Sequence, residues 1–253
     1  MHTDLQKASI WKRISAGLLD GIFLSVLVAF LAMLLSSILG FDKYNTALDD
    51  CYAKYEAQFS VTFDITIDAF EAMTAEQKQS YNDAYAALST DPDALYNFNM
   101  IVRLTMVIVS LSILLGYLAL EFTVPLLWGN GQTVGKRIFA IGVMRDQGIR
   151  INAVTLFVRT VLGKFTIETM IPVLIIMMIL WSTIGIVGPI VIGAILLLEL
   201  ICMITSGKNS LIHDYLAHTV VVDMESQMIF DSEYELIEYT KRIHAEKASK
   251  QVY

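Results

Sequence analysis

Four long apolar runs dominate the pattern of hydrophobic and polar positions along this chain. They cover residues 14–40, 101–128, 165–185 and 189–206, and polar segments separate most of them. An apolar run of about 20 residues is long enough to cross the hydrocarbon core of a bilayer as a helix. The pattern therefore predicts an all-α integral membrane protein with four transmembrane helices, whose first partner is the lipid bilayer.

Charged residues are divided unevenly between the polar segments. Residues 41–100 contain eleven Asp or Glu and three Lys, whereas residues 129–164 contain six Lys or Arg and one acid, Asp146. Short loops on the cytoplasmic side of a membrane carry an excess of Lys and Arg. We therefore expect both termini and residues 129–164 to be cytoplasmic, and residues 41–100 to form an acidic extracytoplasmic insertion.

Shorter signals predict the structure of the insertion. Thr74 and Gln77 have the spacing of a capping box. Asp91 stands before Pro92, and a proline is tolerated at the first position of a helix. The insertion is therefore expected to be α-helical.

The polar segments on the other side predict a small β-element and two helices. Residues 137–151 alternate around an Asp-Gln-Gly turn, which predicts a β-hairpin, and residues 219–222 form a strand-like run that could pair with it. Residues 153–164 predict an amphipathic helix, capped by Asn152, that lies on the membrane surface or docks against the bundle. The predicted order begins with a cytoplasmic N-terminus (1–13), the first span (14–40), the insertion (41–100) and the second span (101–128). It continues with the hairpin and amphipathic helix (129–164), the third span (165–185) and the fourth span (189–206). The chain ends with the C-terminal motif (207–222) and a polar helical tail (223–253).

Composition agrees with this assignment and excludes several classes of protein. Of the 253 residues, 55% are hydrophobic and 17% are charged, which is too apolar for an ordinary soluble domain. The first apolar run is longer than the core of a signal peptide, so we expect it to be retained. The two cysteines, Cys51 and Cys202, give no metal-ligand spacing. We expect no cofactor, no metal site and no nucleic-acid partner.

Acidic residues inside three predicted spans lie at a similar depth. Asp20, Glu121 and Glu199 are each seven residues, or about 10 Å of helix, from the predicted cytoplasmic end of their span. Glu168 adds a fourth carboxyl group at a slightly shallower position. An ionised carboxylate in hydrocarbon costs roughly 3 kcal/mol on insertion scales, so such residues usually face protein or water and mark a site.

Two interpretations of this carboxylate layer are open. In the structural scheme, basic side chains neutralise the acids and hold the amphipathic segments against the helices; the candidates are Arg13, Arg159, Lys164 and His213. In the functional scheme, the carboxyl groups bind a monovalent cation or a proton and exchange one for the other.

Other motifs give no catalytic site. Residues 129–137 superficially resemble a phosphate-binding loop, but Asn130 stands at the first glycine position and Arg137 at the Ser/Thr position. His213 and Asp214 are adjacent, so on a helix they point to different sides and make a poor dyad. Without an activated nucleophile or a metal set, we do not expect an enzyme.

Three motifs carry a resemblance to a known family. Arg13 precedes Asp20 at the start of the first span, the sequence GQTVGKR follows the second at residues 131–137, and LIHDYLAHTVVV follows the last at residues 211–222. Together they resemble the RDD family of bacterial membrane proteins, named for one arginine and two aspartates that correspond here to Arg13, Asp20 and Asp214. The resemblance leaves out residues 41–100 and the tail after Asp223.

The resemblance implies a multi-pass protein of the bacterial inner membrane, and it implies transport, since some members are described as cation/proton antiporters. It departs from the family at His218, where glycine is usual. The leading hypothesis is a small exchanger of monovalent cations and protons, and homo-oligomerisation is expected because four helices make a thin bundle. Its residues are an ion or proton site at Asp20, Glu121 and Glu199, a cytoplasmic gate at Arg13 and Asp214, and supporting polar groups at Arg159, Glu168 and His213.

The rival hypothesis is a non-catalytic membrane scaffold or assembly factor. It rests on residues 41–100, which transport chemistry does not require and which could bind a partner protein.

Overall fold

Four long apolar helices are present in the structure, a computed structural model that describes residues 6–206 and 210–250. Within these residues the helices are Ile10–Leu39, Pro92–Trp128, Ala153–Leu180 and Val187–Thr205. Each is long and apolar enough to cross a bilayer, and helices satisfy their backbone hydrogen bonds internally, as hydrocarbon requires. The prediction of a helical membrane protein with four spans is confirmed.

The elements follow one another with short connections. Two π-helical segments interrupt the second and third spans, the first at Tyr117–Thr123 and the second at Val158–Met170. The other elements are α1 Ile10–Leu39, α2 Phe41–Phe59, α3 Ile67–Glu71, α4 Ala75–Thr90, α5 Pro92–Gly116, α6 Val124–Trp128, α7 Val134–Ile138, β1 Ile141–Arg145, α8 Ala153–Phe157, α9 Ile171–Leu180, α10 Val187–Thr205, α11 Ile212–Leu216, β2 Thr219–Asp223 and α12 Glu233–Lys250.

The chain divides into two compact units. The first contains the described parts of residues 1–28 and 113–253, and the second is Ala29–Ser112. This second unit is helical, as predicted for the insertion. The capping box forms, since the Gln77 amide donates to the Thr74 hydroxyl and Gln77 Oε1 accepts from the Thr74 amide. Asp91 accepts from the Asp93 amide at 2.8 Å and so caps α5. Because that cap works, the helix of the second span begins at Pro92 rather than at residue 101.

A short antiparallel sheet lies in the first unit. β1 pairs with β2 in the register Ile141 to Asp223, which confirms the predicted use of residues 219–222. The predicted hairpin forms in part, since the Arg145 amide donates to the Ile149 carbonyl at 2.9 Å and Met144 forms an isolated bridge with Arg150, while β2 is the longer partner of β1. Pairing β1 with β2 buries residues of both strands in two clusters, one with Ile141, Val143 and Val221 and the other with Met144, Val220 and Val222.

The third span differs from its prediction. The segment 153–164 is not a separate surface helix, since α8, the second π-helical segment and α9 form one continuous helix, Ala153–Leu180. Its cap is as predicted, because Asn152 Oδ1 accepts from the Thr155 amide at 2.8 Å. Arg159, Thr160 and Gly163 of this helix are buried against other elements instead of facing a membrane surface.

Each π-helical segment ends two residues before a proline. These prolines are Pro125 and Pro172. A proline has no amide hydrogen, so the carbonyl four residues earlier loses its helical donor. At Pro125 the orphaned carbonyl is that of Glu121, and the Thr160 hydroxyl of the third span donates to it at 3.1 Å. The irregularity therefore links two spans at the position of a predicted site residue.

The tail forms the polar helix α12, as predicted. The Ser232 hydroxyl accepts from the Glu235 amide at 3.2 Å, and most side chains of the helix are exposed.

Candidate functional site

Two arginines from different helices meet on one carboxylate, Asp214, which is 1% exposed. Arg13 Nη2 donates to its Oδ2 at 2.8 Å, and Arg159 donates to its Oδ1 from Nη2 at 2.8 Å and from Nε at 3.0 Å. Burial alone would raise the pKa of Asp214, but the Arg159 guanidinium, with Arg13, holds that pKa well below its usual range. Asp214 is therefore a permanent anion that ties α1 and the third span to α11.

His213 continues this network. Arg159 Nη2 lies 3.0 Å from His213 Nε2, and because a guanidinium can only donate, Nε2 must be the acceptor. Nδ1 then carries the hydrogen and donates to the Glu168 carboxylate at 2.8 Å. Burial lowers the pKa of His213, which agrees with a neutral ring in this tautomer.

Glu168 and Glu199 form a carboxyl pair at the end of the network. Glu168 Oε1 also accepts from the His213 amide at 2.8 Å, and Glu199 Oε2 accepts from the Ile212 amide at 3.5 Å. The two side chains lie beside one another, and both are half-buried. Two carboxylates in such a position repel one another, so the arrangement favours a proton or a cation between them.

Glu121 has a basic partner. Its Oε2 accepts from Lys164 Nζ at 2.8 Å, and the carboxylate is almost fully buried. The pair joins the second span to the third, beside the bond between Thr160 and the Glu121 carbonyl. A buried pair of this kind is costly to break by removing one member.

Asp20, in contrast, is held by neutral donors. Its Oδ2 accepts from the Thr133 hydroxyl and its Oδ1 accepts from the Gly135 amide at 2.7 Å. A Cβ at Gly135 would overlap the Ala16 carbonyl oxygen and lie 3.0 Å from the Asp20 carboxyl carbon. Glycine at this position therefore lets the segment after the second span approach α1 closely enough to bind the aspartate.

Lys136 follows directly and is 8% exposed. Within the residues that the structure describes, its buried Nζ has no hydrogen-bond partner. Burial lowers the pKa of Lys136 to about 7, although Glu121 and Asp20 oppose that effect. The side chain faces a cavity of about 240 Å³ that Asp20 also lines.

The structure groups the predicted site residues around different partners. Among the described contacts, the three acids assigned to the ion site, Asp20, Glu121 and Glu199, each have donors of their own. The contacts are those of the structural scheme for Glu121 and Glu168, and the ion site stays a prediction. One network unites the remaining predicted residues with Glu199: Arg13, Arg159, Asp214, His213 and Glu168.

Sequence reasoning missed the segment that holds Asp20. Thr133, Gly135 and Lys136 all lie in the GQTVGKR motif, which served only as a family marker. The available signal was the Thr133 cap three residues before Lys136, which places the short helix α7, but it does not show which side of that helix is buried.

These features define a polytopic membrane protein with a buried layer of charged groups built from the ends of its spans and the segments between them. The RDD family model matches residues 7–218, and the chain belongs to that family. Comparison with curated proteins gave no match, and neither did comparison with solved structures.

Proposed function

We propose that this RDD family protein is a transporter that exchanges a monovalent cation for protons, with the Glu168–Glu199 pair as the group that takes up and releases the proton. The observation that carries the proposal is the contact between these two half-buried carboxyl groups. It goes with residence in the bacterial inner membrane and with assembly as a homo-oligomer. Transport of this kind needs no catalysed chemical reaction.

The shared proton explains how exchange would work. When it leaves, two carboxylates remain in contact, and a cation between them relieves their repulsion. Oxygen ligands suit hard cations, and half-buried side chains allow the ion to enter. Asp20 and Glu121 serve this role less well, because neutral donors occupy Asp20 and a cation at Glu121 would compete with the Lys164 ammonium.

His213 supports the pair from the protein side. Its Nδ1–H and its backbone amide both donate to Glu168, while Arg159 fixes the opposite edge of the ring. The orientation of Glu168 therefore depends on the Arg159–Asp214 pair. Arg13, which completes that pair from α1, is the residue whose movement would change the access of the site.

The experiment is proton movement in proteoliposomes under an imposed sodium gradient, read by a pH-sensitive dye inside the vesicles. Wild-type protein should move protons, and Glu199→Gln should abolish the movement because the amide cannot release a proton. Glu225→Gln, at an exposed acid outside the spans, is the matched control and should keep the wild-type rate. Wild-type vesicles that are silent with sodium, potassium and lithium, or an active Glu199→Gln variant, would contradict the proposal.

A second candidate function is partner binding by the unit Ala29–Ser112. The observation that favours it is the exposure of large apolar side chains there, with Ile67 79% and Tyr85 59% exposed. In this role the chain is a scaffold or assembly factor. Affinity capture with Ile67→Glu plus Tyr85→Ser as the comparison tests it, and identical captured proteins from both forms would count against it.

A further inference from the structure

The cavity beside Lys136 has strongly cationic walls. Arg13, Lys136, Arg159 and Lys164 line it, and Asp20 is the one acidic side chain in its walls among the residues that the structure describes. The cavity holds about 240 Å³, and all of its lining belongs to the first unit. Such a concentration of positive charge around an internal space favours an anion.

Three of the four cations already have carboxylate partners. Arg13 and Arg159 bind Asp214, and Lys164 binds Glu121. Asp20 accepts from Thr133 and Gly135, and among the described contacts it accepts no hydrogen bond from Lys136. Lys136 is therefore the one basic side chain of the lining that has no carboxylate partner among the described residues.

Lys136 also lacks hydrogen bonds. The Lys136 ammonium has three donors, is buried, and meets no acceptor among the described residues. A buried ammonium without acceptors is far less stable than one that is hydrogen-bonded. An oxyanion in the cavity would supply the acceptors, and its negative charge would hold the amine in its protonated form.

The rest of the wall shows what else the ligand carries. Ile10 and Ile14, which are both partly exposed on α1, join Ile141, Met203, Leu211 and Val221 in lining the cavity. A ligand with an anionic group and an apolar part fits such a surface. Basic sites between transmembrane helices commonly take lipid headgroups.

We propose that this cavity binds a phosphate group through the Lys136 ammonium, with the apolar wall receiving what the phosphate is attached to. A phosphodiester in an anionic phospholipid supplies such acceptor oxygens together with one negative charge. Inorganic phosphate offers the same oxygens from solution. The site is distinct from the Glu168–Glu199 pair, and its test does not depend on transport.

Two arms of one experiment distinguish the sources, with thermal unfolding of the full chain as the readout. In the first arm the protein sits in nanodiscs of phosphatidylcholine, with and without added phosphatidylglycerol. In the second it is in neutral detergent and is titrated with inorganic phosphate. A ligand that binds only the folded protein raises its unfolding temperature, and the shift grows with the logarithm of the ligand concentration once that concentration exceeds Kd.

Two variants assign any shift to the cavity. Lys136→Met removes the charge and keeps the bulk, and should weaken the apparent affinity at least tenfold. Gly17→Leu adds a bulky apolar side chain at the wall of the cavity while leaving every charge in place, because Gly17 lines the cavity and a Cβ there meets nothing within 4 Å. Lys247→Met, at an exposed position of α12, is the matched control and should behave as wild type.

Each outcome bears on the proposal. A shift in the first arm that Lys136→Met and Gly17→Leu both lose supports a lipid phosphate, and the same pattern in the second arm supports phosphate from solution. If Lys136→Met does not fold, the Gly17→Leu result decides alone. No shift in either arm, or equal shifts in wild type and Gly17→Leu, overturns the proposal.

Discussion

Replacing Lys136 by methionine should change how the stability of the protein depends on pH. The Lys136 amine is buried, and within the described part of the chain it has no hydrogen-bond partner. Burial lowers the pKa of Lys136 to about 7, against an ordinary value of 10.5. Methionine has a similar length and no charge, so the variant removes the titration while filling the same space.

The direction follows from where the proton is bound. Between pH 7 and 10.5 the unfolded chain keeps the lysine proton while the folded protein has released it, so raising the pH favours the folded state. The free energy of unfolding of wild type should therefore rise relative to the variant by at most about 1.4 kcal/mol per pH unit. Lys136→Met should be the more stable protein at pH 7 and should lose that advantage as the pH approaches 10.5.

The measurement is denaturant unfolding in detergent, followed by tryptophan fluorescence, for both proteins across this pH range. Other lysines and tyrosines titrate in both proteins and cancel in the difference. Lys247→Met should run parallel to wild type, since its side chain is exposed. Parallel curves for wild type and Lys136→Met would show that the amine is hydrated or paired in solution, and would refute the reasoning.

Three further changes probe the close contacts of the fold, each by the same unfolding assay. Gly135→Ala should lower the free energy of unfolding by about 1–3 kcal/mol, because the added Cβ overlaps α1. Gly17→Ala, where the Cβ meets nothing, should leave it unchanged or raise it. Equal effects of the two variants would contradict the packing argument. Arg159→Met should lower the free energy of unfolding by about 3–5 kcal/mol, because its buried carboxylate partner stays charged. Arg150→Met, from an exposed ion pair, should lower it by less than about 1 kcal/mol. A smaller loss for Arg159→Met than for Arg150→Met would disprove this ranking. His218→Gly should stabilise the protein by roughly 1 kcal/mol, since His218 has a φ of 50° that glycine adopts without strain, and a loss of stability would argue against this.

The parts of the fold that could be predicted are those encoded by short-range patterns. Apolar runs located the four spans, and cap signals at Thr74 and Asn152 located helix starts, because both depend on residues a few positions apart. The difference from the family at His218 also has a local structural explanation. The turn into β2 takes a left-handed residue there, which explains why glycine suits the position.

The π-helical segments and the continuous third span could not be predicted in the same way. The sequence left residues 153–164 open between a helix on the membrane surface and one docked against the bundle, because Arg159 and Lys164 are compatible with either. Their burial depends on Asp214 and Glu121, which lie 55 and 43 positions away along the chain. A pattern read within one segment cannot contain that information.

The buried layer is mismatched in a way that bears on its role. A layer that only held helices together would pair each cation with a carboxylate, as Lys164 and Glu121 do. Instead Asp20 is satisfied by neutral donors from the segment that carries Lys136, and the lysine is left without an acceptor in the described structure. Elsewhere in the network two carboxyl groups lie beside each other, an arrangement that a bound proton or cation stabilises. The Glu168–Glu199 pair suits a proton or a cation, and the unpaired Lys136 amine suits an anion. Neither arrangement improves packing, so both favour ligand binding over a purely structural layer.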